Sequence, residues 1–185
     1  QTGNPVRNLV SKHAELLTEA QIFFHLDSSK KTILVIGGSL GARTLNESVL
    51  NHIQTLAASN VQVIWQCGGY YYEKLKEELG DSLPEEIKLM AFLDRMDYAY
   101  AAADVIVGRA GAGTISELCV VGKPVVLVPS PNVSDDHQTK NAMALVSKDA
   151  AIMVKDNEAR EVLVSTLLSL LNDEPKMQAL GDAIN

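Results

Sequence analysis

The sequence predicts an α/β protein built on a doubly wound sheet of six parallel strands. Short, continuous apolar runs rich in Val and Ile alternate with helical patterns along the chain, which is typical of strands buried on both faces. Two of these runs end in glycine-rich loops that open directly into a helix. With 185 residues, 46% hydrophobic and 21% charged, the chain can bury a substantial core.

The elements follow one another in strand–helix order after a Gly-Asn-Pro turn and a leading helix. The predicted strands are 32–36, 61–65, 87–92, 104–107, 124–128 and 151–154. The predicted helices are 8–25, one helix after residue 41 with Leu45, Val49, Ile53 and Leu56 on one face, 72–79, 97–103, 136–147, 158–171 and 175–183.

This alternation predicts a Rossmann-like sheet with the common strand order 3-2-1-4-5-6. Strands one and four are then neighbours, so the glycine loops 37–41 and 108–113 meet at one crevice. Ligands of such sheets bind there, beyond the carboxyl ends of the strands. The loop from Asn132 to Gln138 opens beside the same crevice.

The second glycine loop, Gly108–Gly113, has a specific chemical use. Glycines let backbone amides approach a ligand closely, and the following helix presents its positive end to an anion such as phosphate. A purely structural interpretation is also open, because Thr114-x-x-Glu117 fits a capping box.

Composition excludes several classes of partner and site. The net charge of −7 without a basic run argues against nucleic acid. Cys67 and Cys119 lie in apolar stretches and are expected to be buried thiols in a reducing compartment. The sequence contains no Asp-x-Asp motif, so it does not suggest a metal site. Asp135-Asp136 fits a solvated turn or a helix cap. The polar start without methionine suggests the middle of a longer protein, without a signal peptide.

Three phosphate and nucleophile motifs can be tested against the loops. The Walker loop needs a lysine that 108–114 lacks, and the dinucleotide fingerprint is broken at Ser39 and lacks an acidic residue at Gln66. Gly37-Gly38-Ser39-Leu40-Gly41 also fits the nucleophile elbow of α/β-hydrolases, with Asp135 or Asp136 and His137 as triad partners. Adjacent Asp and His fit a triad poorly, and no strands precede the elbow.

Five stretches, in order along nearly the whole chain, resemble the C-terminal donor-binding half of the peptidoglycan N-acetylglucosaminyltransferases of glycosyltransferase family 28, which have the GT-B fold. They are 3–7 (GNPVR), 37–43 (GGSLGAR), 92–96 (FLDRM), 111–117 (GAGTISE) and 136–142 (DHQTKNA). The resemblance implies a donor site made of Arg7, Ser39, Leu93, Ala112, Gly113, Thr114, Ile115, Ser116, Glu117, His137 and Gln138.

The resemblance also implies which part of UDP-N-acetylglucosamine each of these residues contacts. Ser39 touches a phosphate, and Arg7 and the backbone of Leu93 lie around the uracil. Residues 112–114 hold the diphosphate and the sugar.

Two polar side chains are assigned to hydroxyl groups. Glu117 takes the ribose hydroxyls, since a carboxylate accepts well from a vicinal diol, and Gln138 binds hydroxyls of the sugar. Leu40 and His137 stand where the family often has glutamine, so a contact is expected to be missing at Leu40. His137 is either a sugar ligand or a solvated histidine.

The activity implied is inverting transfer of N-acetylglucosamine to lipid I, which forms lipid II, without a cofactor. The alternatives are an epimerase of the same superfamily or another UDP-sugar glycosyltransferase. Residues 1–30 would be a linker and leading helical segment, and 31–185 the donor domain. The general base and the acceptor site would belong to an absent N-terminal half, so the isolated chain is expected to be inactive. The whole protein is expected to be cytoplasmic and peripheral on the inner membrane.

Overall fold

The computed structural model describes residues 13–38, 41–132 and 136–185 and places in them one sheet of parallel strands in the order β3-β2-β1-β4-β5-β6. The strands are β1 Lys31–Ile36, β2 Val61–Gln66, β3 Ile87–Met90, β4 Val105–Gly108, β5 Val125–Leu127 and β6 Ile152–Met153. All six predicted strands and their predicted order are confirmed. The outer strands β3 and β6 are shorter than predicted, since within the described residues each pairs with one neighbour only.

Helices cover both faces of this sheet. They are α1 His13–Phe23, α2 Arg43–Asn51, α3 Ile53–Ala57, α4 Gly69–Leu79, α5 Met96–Ala102, α6 Ala112–Val121, α7 Asp136–Val146, α8 Asp156–Leu171 and α9 Glu174–Ile184. A 3-10 turn, Gly80–Ser82, follows α4. None of the described helices is both long and apolar enough to cross a membrane.

The helix predicted after residue 41 is broken into two. Its predicted apolar face is correct, since all four of its apolar residues are buried. His52, however, leaves helical geometry at φ −124° and ψ 25°. Ser48 Oγ donates to the Thr44 carbonyl, 2.7 Å away, and this type of back-bonding bends helices.

The core has two halves because successive strand residues point to opposite faces. On one face Ile33 and Val35 of β1 pack with α2, α3, α4 and α8. On the other face Leu34 packs with α1, α5, α6 and α7. Since Ala20 of α1 is fully buried in this second half, α1 shares the core of the sheet. A domain boundary near residue 30 stays a prediction.

The two cysteines differ in burial. Cys67 is fully buried, as predicted, and burial raises its pKa to about 11. Cys119 is only half-buried, because it lies at the edge of the second core half, so its predicted burial is wrong in degree. Both are free thiols.

A half-buried lysine fixes the end of α5. The Lys123 ammonium donates to the carbonyls of Tyr100, Ala101 and Ala103 at 2.6, 2.9 and 2.7 Å. Burial lowers the pKa of Lys123 to about 8. The lysine satisfies carbonyls that the end of a helix leaves without partners, and it holds the helix that carries Tyr100.

Candidate functional site

The two glycine loops meet at the centre of the sheet, as the predicted strand order requires. β1 and β4 are paired in parallel, with Ile36 opposite Gly108 at their carboxyl ends. The loops that leave these two residues therefore start side by side. This is the switch point of the sheet, where the order reverses between β1 and β4.

Close backbone packing explains the glycine at the end of the first loop. At Gly41 a Cβ atom would lie 2.4 Å from the Cys67 carbonyl oxygen and 2.7 Å from the Tyr71 ring, and its φ is +79°. No residue with a side chain fits that position without strain. Ser39 and Leu40, between the described parts of this loop, lie outside the described residues, as does Arg7.

The second loop opens α6 without a side-chain cap. Gly111 is the N-cap residue, in extended conformation, and as a glycine it supplies no side-chain hydrogen bond to the first turn. Ala112 and Gly113 are exposed, and Thr114 is half-buried. The capping-box interpretation of Thr114 and Glu117 is therefore wrong, because the helix begins earlier than that motif requires. The first amides of α6 point at the crevice end of the sheet and suit an anion.

Glu117 is held by another helix rather than by its own. The hydroxyl of Tyr100, on α5, donates a hydrogen bond to Glu117 Oε1. Burial of Tyr100 and this bond both raise the pKa of its phenol, so the hydroxyl remains a donor at neutral pH. No described donor reaches Glu117 Oε2, which leaves that oxygen for a hydroxyl of a ligand.

Gln138 joins the second glycine loop to the loop after β5. Its Oε1 accepts hydrogen bonds from the amides of Ala110 and Ser130 at 3.2 and 2.9 Å. Asn141, one turn later on α7, donates to the Ala110 carbonyl at 3.0 Å. No described residue accepts from the Gln138 Nε2, so the group that remains for a ligand is a donor.

A salt bridge and several hydrogen bonds hold the second glycine loop on the side of α8. Arg109 Nη1 lies 2.6 Å from Asp156 Oδ1 and also donates to the Val128 and Pro129 carbonyls. Thr44 Oγ1, in the helix after the first glycine loop, donates to Asp156 Oδ2 at 3.1 Å. Asp156 thus links both glycine loops to the start of α8. Sequence reasoning missed this role, because its partners are 47 and 112 residues away.

The loop after β3 borders the other end of the crevice. Leu93 is half-buried against the second core half, to which Ile115 of α6 also contributes. Phe92, 57% exposed, contacts Gly69, where a Cβ atom would lie 2.8 Å from its ring. Arg95 pairs with Asp97 at 2.8 Å, which lowers the pKa of that carboxyl and fixes the turn into α5.

The remaining predicted ligands sit on helix starts. Ser116 is exposed on α6, and His137 is exposed in the first turn of α7. The structure therefore brings residues 112–117, Gln138 and the loop at Leu93 to the carboxyl edge of one sheet. Which of them bind a ligand remains a prediction. Among the described residues no group of three or more His, Cys, Asp or Glu side chains could hold a metal ion.

Known proteins resemble both the sequence and the fold. Residues 32–184 match the glycosyltransferase family 28 C-terminal domain. The UDP-N-acetylglucosamine–N-acetylmuramyl-(pentapeptide) pyrophosphoryl-undecaprenol N-acetylglucosamine transferase of Parabacteroides distasonis is 52% identical over 180 residues, which cover 97% of this chain and 49% of that protein. The chain spans about half the length of the curated relatives it matches.

Solved structures show the same likeness. The crystal structure of Acinetobacter baumannii MurG has a TM-score of 0.72 at 30% identity, covering 89% of this chain and 48% of that one. The structure of a putative UDP-N-acetylglucosamine 2-epimerase from Listeria monocytogenes has a TM-score of 0.63 at 14% identity, covering 99% of this chain and 43% of that one. At that identity only the fold is shared. The match over residues 32–184 and the relative at 52% identity show that the chain belongs to glycosyltransferase family 28, of which it contains the C-terminal domain.

Proposed function

We propose that this chain is the UDP-N-acetylglucosamine-binding half of an inverting glycosyltransferase that transfers N-acetylglucosamine to lipid I and forms lipid II. The observation that carries the proposal is the switch point between β1 and β4. There a helix N-terminus with glycine as its N-cap residue, two glycine loops and the carboxylate of Glu117 lie at one edge of the sheet. A diphosphate between a ribose and a sugar is the ligand that fits this combination.

The resemblance to the family, together with the chemistry of each group, supports the following assignments. The amides of residues 112–114 bind the diphosphate, and Ser39 adds a contact to a phosphate. Glu117 accepts from the ribose hydroxyls, with Tyr100 fixing its orientation. Ile115 and Ser116 line the same helix start.

The base and the sugar occupy the two sides of that helix. The uracil lies against the backbone of Leu93, with Arg7 beside it. The sugar hydroxyls meet the Nε2 group of Gln138, whose Oε1 is already engaged by the loop amides, and His137.

In the reaction an oxygen of the acceptor attacks the anomeric carbon while the bond to the diphosphate breaks, so the configuration inverts. Negative charge grows on the leaving UDP. Backbone amides that already point at the diphosphate stabilise this charge without reorganising, which lowers the barrier. The donor half therefore contributes binding and leaving-group stabilisation.

The acceptor, the general base and the membrane contact are assigned to the other half of the protein. The chain covers about half of its relatives, and lipid I would be bound through the part it lacks. We expect the whole protein to act in the cytoplasm, peripherally on the inner face of the membrane. The 185-residue chain alone should bind the donor weakly and should not transfer sugar.

Calorimetric titration of the chain tests this proposal. UDP-N-acetylglucosamine and UDP should bind, NAD should not, and Glu117→Ala should weaken the binding of both uridine ligands. Ser165→Ala, on the exposed side of α8, is the matched control and should bind as the wild type does. Binding of NAD in preference to the uridine ligands, or unchanged affinity in Glu117→Ala, would contradict the proposal. Transfer to a lipid I analogue by the chain alone would refute the assignment of the base to the other half.

A further inference from the structure

Gln66, the last residue of β2, is bonded at both ends of its side-chain amide. Its Oε1 accepts from the amides of Gly37 and Gly38 at 3.1 and 3.0 Å. Its Nε2 donates to the carbonyls of Gly38 and Ala91 at 2.7 and 3.0 Å. The side chain is 5% exposed, so these bonds are made away from bulk water.

These four bonds connect the two loops that border the crevice on this side. Gly37 and Gly38 begin the first glycine loop after β1, and Ala91 begins the loop after β3 that leads to Leu93. Because β2 lies between β1 and β3, a side chain at its end can reach both loops. A glutamine supplies two acceptor and two donor positions, and all of them are used here.

The glycine loop needs such a support because it carries few side chains of its own. Gly38 has a φ of +81°, and a Cβ atom built on it would meet nothing within 4 Å. No side chain of its own anchors this peptide, whose carbonyl accepts from the Gly41 amide at 3.1 Å, and Gln66 bonds to both its amide and its carbonyl. In dinucleotide-binding sheets an acidic residue at this strand end binds the ribose of the ligand, whereas here the Gln66 side chain bonds to the neighbouring loops of the protein.

We propose that Gln66 is a positioning residue for donor binding, which sets the phosphate-side loop at a fixed distance from the base-side loop. The proposal rests on the function proposed above. A nucleoside diphosphate spans from a base to its phosphates, so its affinity depends on the spacing of the two loops. Gln66 acts on the ligand through Gly37, Gly38 and Ala91 and does not need to touch it.

The same strand offers a matched control at its other end. Gln62 is 3% exposed, and its Oε1 accepts from the Asp27 amide at 2.8 Å. Its Nε2 donates to the carbonyls of Asp27 and Lys30 and to Thr32 Oγ1. Gln62 is therefore as buried and as fully bonded as Gln66. It lies four residues earlier, which places it roughly 13 Å from the carboxyl edge of the strand.

The test compares Gln66→Glu with Gln62→Glu. Each change keeps the size and shape of the side chain and removes its donors, so both should lower the urea midpoint of unfolding. At pH 8 only Gln66→Glu should bind UDP-N-acetylglucosamine more weakly, by about tenfold or more. Near pH 5.5 its affinity should partly recover, since a protonated glutamic acid donates one hydrogen bond again. The diphosphate of this ligand is esterified at both ends and does not titrate in that range.

The possible outcomes separate the two proposals. A carboxylate beside the phosphate-side loop also repels the diphosphate, so the uncharged variant Gln66→Met is measured as well and should show the same loss without the recovery at low pH. A loss in Gln66→Glu with wild-type affinity in Gln66→Met would be charge repulsion and would overturn the positioning role. Wild-type affinity in the folded Gln66 variant, or an equal loss in Gln62→Glu, would overturn the positioning role alone. If the wild-type chain binds no UDP-N-acetylglucosamine, the proposed function fails and the role of Gln66 fails with it.

Discussion

Replacing Tyr100 with phenylalanine removes a single oxygen from the candidate site. The Tyr100 hydroxyl donates to the carboxylate of Glu117, and Tyr100 is 1% exposed. Phenylalanine fills the same space apart from that oxygen, so packing is preserved. The change therefore isolates the bond that orients Glu117.

The size of the effect follows from the burial of the two partners. A hydrogen bond to a charged group contributes about 1.5–3 kcal/mol to stability. Glu117 is half-buried and regains water when the bond is lost, so we expect the low end, about 1.5 kcal/mol. For 185 residues the entropy of unfolding is about 0.39 kcal/mol per kelvin, which makes this a fall in Tm of about 4 °C.

Urea and thermal unfolding measure this loss, with Tyr98→Phe as the control. Tyr98 lies on the same helix, and its hydroxyl donates to the exposed carboxylate of Glu19 at 3.1 Å. Its loss should cost less than about 0.5 kcal/mol, as for other exposed contacts. Affinity for UDP should also fall several-fold in Tyr100→Phe only. Equal, small losses in both variants would refute the reasoning that Tyr100 holds Glu117.

Three further predictions concern the frame around the site. Asp156→Asn should destabilise the chain by about 1–2 kcal/mol in urea, because Arg109 keeps its carbonyl partners but loses its half-buried charge partner. Gly41→Ala should lower the urea midpoint far more than Gly80→Ala: both have positive φ, but only Gly41 would clash, whereas a Cβ at Gly80 meets nothing within 4 Å. The Cys67 thiol has a pKa of about 11 in the folded chain and about 8.5 in the unfolded chain. The unfolded state therefore loses its proton first as the pH rises, so the contribution of the thiol to the free energy of unfolding is complete below about pH 8.5 and is lost towards pH 11. The stability difference between wild type and Cys67→Ala should accordingly shrink from pH 8 to pH 10.

The sheet was predictable because its signal is local. Continuous Val and Ile runs such as 32–36 leave no polar face, so they predict buried parallel strands directly. Once strands and helices alternate, the common order follows, and it places the glycine loops together. Exact ends were less predictable, since β6 keeps only two residues and the helix after Gly41 breaks at His52 through side-chain bonds to the backbone.

The site was predictable only as far as single residues carry a chemical signal. A glycine-rich loop between a strand and a helix predicts a candidate anion site from local sequence alone. The partners of Glu117, Gln138 and Arg109 are set by tertiary packing, and nothing near them in sequence points to Tyr100 or Asp156. Thr114 and Glu117 match a local capping motif, but the helix starts earlier, at Ala112, so they do not cap it.

The most direct test of the central claim is to map the binding of UDP-N-acetylglucosamine on the chain by NMR amide shifts. We expect the largest changes at Gly37, Gly38 and residues 112–114, at the carboxyl edge of the sheet. Amides at the opposite edge, such as Asp27 and Asp104, should not move. Largest shifts at that opposite edge, or at Leu50 and Lys74 in the pocket between α2 and α4, would contradict a donor site at the switch point.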